Sequence, residues 1–168
     1  MRHDAGFTLA ELLIVIVVVS IAGLLLAGVF REAVGTYRFV DVQSDLLQQA
    51  RYAEERVSRE LRSVKDRASV TTADIRTFAF VDKDAAPVAV SWDGTKGSRL
   101  LYVKNGVAQT LAAGVDSLAF AYYRENGTAA APLVAPAGTD IRRVTLYLRL
   151  AKDGQSVATL GAAALRSL

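Results

Sequence analysis

Glu11 is the residue of this chain that most needs a partner, because it lies inside the apolar run FTLAELLIVIVVVSIAGLLLAGVF at residues 7–30. A charged side chain within an apolar helix costs about 3 kcal/mol on insertion scales. Two arrangements offset that cost: a place near the membrane interface where the carboxylate reaches water, or a cation supplied by another subunit. Elsewhere the chemical equipment is sparse. Cysteine is absent, which excludes thiolate metal sites and thiol catalysis, and the only histidine is His3, ahead of the apolar run. Asp82 and Asp84 form a D-x-D pair without a third ligand or calcium-loop glycine at the required spacing, and are expected to be solvated turn carboxylates. Trp92 beside Asp93-Gly94 reads as a packed residue at a turn. No phosphate-cradling loop or paired-carboxylate motif is present, so no enzymatic activity, cofactor or metal is expected.

The element that positions Glu11 is long. As a helix, residues 7–30 span about 36 Å, enough for a hydrocarbon core of about 30 Å. Arg2 and the amino terminus, partly offset by Asp4, favour a cytoplasmic N-terminus, and Arg31 on the far side weakens that asymmetry. A secretory signal places its small-residue cleavage site after the apolar stretch. Here Gly6 precedes it, and Ala27-Gly28 is the comparable pair at its far end. A cut at the far end releases a soluble exported domain, whereas a cut after Gly6 keeps the whole anchor.

Gly6-Phe7-Thr8-Leu9-Ala10-Glu11-Leu12-Leu13 resembles the cleavage and methylation motif of type IV prepilins and type II secretion pseudopilins. The likeness combines a short charged leader, a glycine, a phenylalanine, a glutamate four residues further on and then an unbroken apolar run. It implies that a prepilin peptidase cuts between Gly6 and Phe7 on the cytoplasmic side and N-methylates the Phe7 amine. Gly6, lacking a side chain, lets a peptidase approach the backbone closely. It also implies that Glu11 pairs with the terminal amine of a neighbouring subunit in a filament. Opposite charges about 4 Å apart attract by roughly 4 kcal/mol at an effective dielectric near 20, which offsets much of the burial cost. Gly23 and Gly28 interrupt the apolar run, where they permit close helix packing, are simply tolerated, or allow local unwinding.

After residue 30 the sequence is charged but free of proline until Pro87. Val40, Leu47, Ala50, Val57, Leu61 and Val64 recur at helical spacing, which predicts a continuation of the helix to about Asp66 with an apolar stripe. Arg51, Glu54, Glu55, Arg59, Glu60 and Arg62 are expected to be mostly solvated. Beyond Lys65 the period becomes two: Phe78 and Phe80, Leu101 and Val103, Leu118, Phe120 and Tyr122, then Val144, Leu146, Leu148 and Leu150. The turn sequences WDGTKG, KNG, ENG and KDG lie between them. The predicted fold is α+β, a long N-terminal helix packed on an antiparallel sheet. Its divisions are a leader at 1–6, a membrane-spanning or filament-core helix at 7–30, an amphipathic continuation at 31–66 and a sheet head at 67–168. Residues 128–139, with two of the three prolines, are expected to form a loop.

Residues 37–64, 111–127 and 144–168 are similar to minor pilins of the PilW type and to J-type pseudopilins. That likeness implies a minor filament subunit of the inner membrane with its head in the periplasm. Its implied partners are the prepilin peptidase, other pilin or pseudopilin subunits, the inner-membrane assembly platform and, before assembly, membrane lipid. The alternative is a signal-anchored periplasmic domain with a binding or unknown function. Acidic and basic residues are interspersed, with a net charge of +3, so no concentrated basic face for nucleic acid is expected.

Overall fold

A computed structural model describes residues 8–130, 133–134 and 141–165. Among the described residues one α-helix, α1 (Leu9–Leu61), precedes nine strands. These are β1 (Val70–Ala73), β2 (Thr77–Val81), β3 (Pro87–Ser91), β4 (Ser98–Lys104), β5 (Val107–Tyr123), β6 (Ala129–Ala130), β7 (Leu133–Val134), β8 (Arg143–Lys152) and β9 (Gln155–Ala164). The chain divides into two compact units, with the boundary between Asp41 and Val42 inside α1.

In the second unit, the sheet is antiparallel throughout, in the order β7-β1-β2-β3-β4-β5-β8-β9, with β6 also on β5. The long β5 serves two partners: its first half pairs with β4 and its second with β8. The register against β4 shifts between Ala112 and Val115, where Gly114 has a φ of +70°. A Cβ there would lie 2.7 Å from the backbone oxygen of Ala151, so glycine is required both by conformation and by close approach. Gly114→Ala is expected to lower the stability of the head by at least about 2 kcal/mol, measured as a shifted denaturant midpoint. The sheet curls back on itself where the β1–β2 turn bonds β5. The amide of Phe120 donates to Ile75 O at 2.8 Å and the Tyr122 hydroxyl to Asp74 O at 2.6 Å.

The turn chemistry follows the sequence. Asn105-Gly106 and Asp153-Gly154 each place two residues at positive φ, the arrangement that lets two-residue hairpins match strand twist. The alternations at β2, β5 and β8 also hold: Phe78, Phe80, Leu118, Phe120, Tyr122, Val144, Leu146, Leu148 and Leu150 are all buried. Phe78 is the centre of the aromatic cluster, with ring centroids 5.6–6.1 Å from Phe80, Phe120 and Tyr122.

Other details differ from expectation. In β4 the buried residues are Leu100 and Tyr102, while Leu101 is exposed and Val103 only half-buried. In α1 the core-facing stripe is Leu46, Ala50, Ala53, Val57 and Leu61, and both Val40 and Leu47 are exposed. The helix ends at Leu61. Asp66 caps a following 3-10 turn by accepting from the Ser69 amide at 2.7 Å. Glu60 is buried, paired with Arg56 at 3.2 Å, while the Arg56 guanidinium lies over the Tyr102 ring. Glu54 is half-buried and accepts from the Thr159 hydroxyl. Asp82 is not a solvated turn carboxylate: it is 1% exposed, accepts from the amides of Asp84 and Ala86, and pairs with Lys104 Nζ at 2.6 Å. Within 128–139 two short strands form, β6 and β7; the other calls in that segment, on 131–132 and 135–139, lie outside the described residues.

Candidate functional site

Of the three residues singled out in the sequence, Gly6 and Phe7 lie outside the described residues, and Glu11 lies in the first turn of α1. Thr8 stands immediately before the helix, in the N-cap position. Its hydroxyl oxygen accepts from the Glu11 amide at 3.3 Å. The Glu11 carboxylate reaches back and accepts from the Thr8 amide at 3.2 Å and from the Thr8 hydroxyl at 3.3 Å. This reciprocal pair is a capping box, which satisfies two backbone donors that the first turn of a helix leaves without partners. It also holds a carboxylate at the end of the helix where the backbone dipole is positive.

The signal for this box was present as T-x-x-E ahead of an apolar run. The sequence reading offers Glu11 water at the membrane interface or a cation from another subunit, and overlooks this local pairing. Within one chain Glu11 has local partners already, but they are neutral, and its side chain is exposed. A carboxylate engaged by an amide and a hydroxyl retains acceptor capacity for a cation.

Over residues 12–30 the surface of α1 is apolar and uncovered among the described residues. Leu12, Ile14, Ile16, Val18, Leu24, Leu26 and Phe30 are all more than half exposed, and the most apolar window of the helix has none of its residues buried. The helix is long and apolar enough to cross a membrane. Its one hydroxyl in this stretch is satisfied internally, Ser20 Oγ donating to Ile16 O at 2.7 Å. The helix runs unbroken through Gly23, Gly28 and Gly35, and a Cβ at any of them would meet nothing within 4 Å. Packing among the described residues therefore does not require glycine at these positions.

Among the described residues no group of three or more His, Cys, Asp or Glu side chains is arranged to hold a metal ion. Polar contacts join the outer part of the helix to the sheet. Asp45 pairs with Lys152 at 3.3 Å, and Gln49 accepts from the Ala113 amide at 3.2 Å.

Residues 1–27 match the family model described as the prokaryotic N-terminal methylation motif. No curated protein matches the chain. The matched motif indicates a type IV pilin-like precursor, and the apolar helix it opens is consistent with membrane anchoring. Such precursors are processed by prepilin peptidase and assembled with other pilins.

Proposed function

We propose that the chain is a minor pilin or pseudopilin, a structural subunit that primes or joins the assembly of a type IV pilus or a type II secretion pseudopilus. The prepilin peptidase cuts between Gly6 and Phe7 and methylates the new Phe7 amine. The anchor then holds the protein in the inner membrane with its N-terminus cytoplasmic and its head in the periplasm, until the assembly platform moves it into the filament. In the filament Glu11 pairs with the terminal amine of a neighbouring subunit. The subunit binds other subunits and performs no chemistry of its own.

The observation that carries this reading is the junction at residues 6–11. A methylation motif opens directly onto a helix whose apolar surface is exposed among the described residues. That surface fits lipid first and the helices of other subunits later. Gly23 and Gly28, where a Cβ would meet no described residue within 4 Å, give those helices places of close approach.

The test is to produce the chain in cells with and without a prepilin peptidase and to follow it by electrophoresis and fractionation. With the peptidase, the protein shortens, stays in the membrane fraction and appears in sheared filaments. Without it, the longer form accumulates in the membrane. Shortening that is independent of the peptidase and releases the head as a soluble protein would instead establish a cut near Ala27.

A further inference from the structure

Two Asn-Gly pairs, Asn105-Gly106 and Asn126-Gly127, stand in exposed turns. Glycine after asparagine opens a reaction that needs only water. The glycine amide nitrogen, uncrowded by a side chain on its own residue, can attack the asparagine Cγ and close a cyclic imide.

The two turns hold their asparagines differently. Asn105 sits at a φ of +50° in the hairpin between β4 and β5, and its amide donates to Pro87 O at 3.0 Å. Among the described residues no group bonds its side chain. Asn126 lies in the turn between β5 and β6. There the Gly127 amide donates to Arg124 O at 3.1 Å, and the Arg124 amide to Thr128 O at 2.9 Å. The Asn126 Oδ1 accepts from two groups of Thr128, the amide at 3.0 Å and the hydroxyl at 2.6 Å.

Those donors meet the atom on which charge develops. When the Gly127 nitrogen adds to Asn126 Cγ, the carbonyl electrons move to Oδ1, and the oxyanion finds an N–H and an O–H already in place. The same two bonds polarise the carbonyl before the attack.

We propose that Asn126 is a site of self-modification, which ages to aspartate and isoaspartate with water as the co-reactant and Thr128 as the oxyanion donor. The Gly127 nitrogen gives its proton to water and bonds to Cγ. The Cγ–Nδ2 bond breaks, and Nδ2 takes up a proton and leaves as ammonia. Water then opens the imide: hydrolysis of the new Cγ–N bond gives aspartate, and hydrolysis at the main-chain carbonyl gives isoaspartate. Either product carries a carboxylate where a neutral amide stood.

The new charge falls on a groove of about 280 Å³ lined by Arg124, Glu125, Asn126 and Arg142. Arg142 donates to Glu125 through Nε at 3.2 Å and Nη2 at 3.0 Å, while its buried Nη1 has no acceptor among the described residues. Ageing therefore changes the charge of this groove in one direction and without an enzyme. The proposal depends on this turn alone and stands or falls separately from the processing of the N-terminus.

The test incubates the full chain in detergent micelles for days in mildly alkaline buffer. Digestion after lysine and arginine places the two asparagines on separate peptides, 105–124 and 125–142. Mass spectrometry reads the amide-to-acid conversion of each against an unaged sample. Conversion at Asn126 is expected to be at least about tenfold faster than at Asn105 and to yield both aspartate and isoaspartate. Thr128→Val removes one of the two donors and slows conversion by about tenfold, whereas Thr128→Ser keeps the hydroxyl and the rate. In denaturant, where both turns are lost, Asn105, Asn126 and the Thr128→Val site convert at similar rates. Three results overturn the proposal: Asn126 reacting no faster than Asn105 in the folded chain, a folded Thr128→Val rate equal to wild type, and a difference between the sites that persists in denaturant.

Discussion

Glu11→Gln is expected to be processed normally and yet to be depleted from filaments by about a hundredfold. Glutamine at this position still accepts from the Thr8 amide, so the capping box survives, whereas the charge that would meet a neighbouring amine is gone. An attraction of roughly 4 kcal/mol, less the cost of bringing both charges out of water, leaves about 2–3 kcal/mol, and each 1.4 kcal/mol is a factor of ten. Thr8→Ala is the converse variant. It removes the cap hydroxyl, at a cost of about 1 kcal/mol to the first turn, and keeps the carboxylate, so incorporation stays within a few-fold of wild type. The measurement is the ratio of subunit in sheared filaments to subunit in membranes. If Thr8→Ala were depleted as strongly as Glu11→Gln, the role of Glu11 would be capping rather than pairing.

The second large effect lies in the head. Asp82→Ala is expected to destabilise it by about 3 kcal/mol, seen as a fall of about 10 °C in Tm. The substitution strands the amides of Asp84 and Ala86 and removes the carboxylate that meets Lys104. The Lys104 ammonium, helped by those two amides, holds the Asp82 carboxyl below the usual carboxylate range. A carboxyl whose folded value is depressed contributes its full stability above the unfolded value of about 3.9, and loses it as pH falls toward the folded value. The difference in Tm between wild type and Asp82→Ala should therefore be constant from about pH 5 to 8 and shrink below about pH 4. Lys104 is shifted upward by the same partner, so its share is present at neutral pH and lost only when the medium becomes more alkaline than an ordinary lysine value. A difference that grew with acid would contradict the assignment.

The anchor helix and the hairpins were legible because each rests on a local signal: a proline-free apolar run, and the pairs Asn105-Gly106 and Asp153-Gly154 between alternating segments. Phase was harder to read wherever apolar residues stand side by side. Leu100, Leu101, Tyr102 and Val103 offer two equivalent alternations, and the register shifts around Leu100 and Leu101 decide for Leu100 and Tyr102. Leu46 and Leu47 present the same choice on α1, settled by which of them meets the sheet. Charged residues were misjudged when their partners came from distant segments. Glu54 meets Thr159, and Asp82, just after β2, meets Lys104 at the end of β4, pairings that no sequence spacing reveals. The capping box at Thr8 and Glu11 is the opposite case, since its signature is local.

Mass spectrometry of the N-terminal peptide tests the central claim most directly, using protein isolated from cells that contain a prepilin peptidase. The expected mature chain begins at Phe7 and carries one methyl group on its terminal amine, with residues 1–6 absent. A chain that retained Met1 and the leader, or that began near Gly28, would contradict the account.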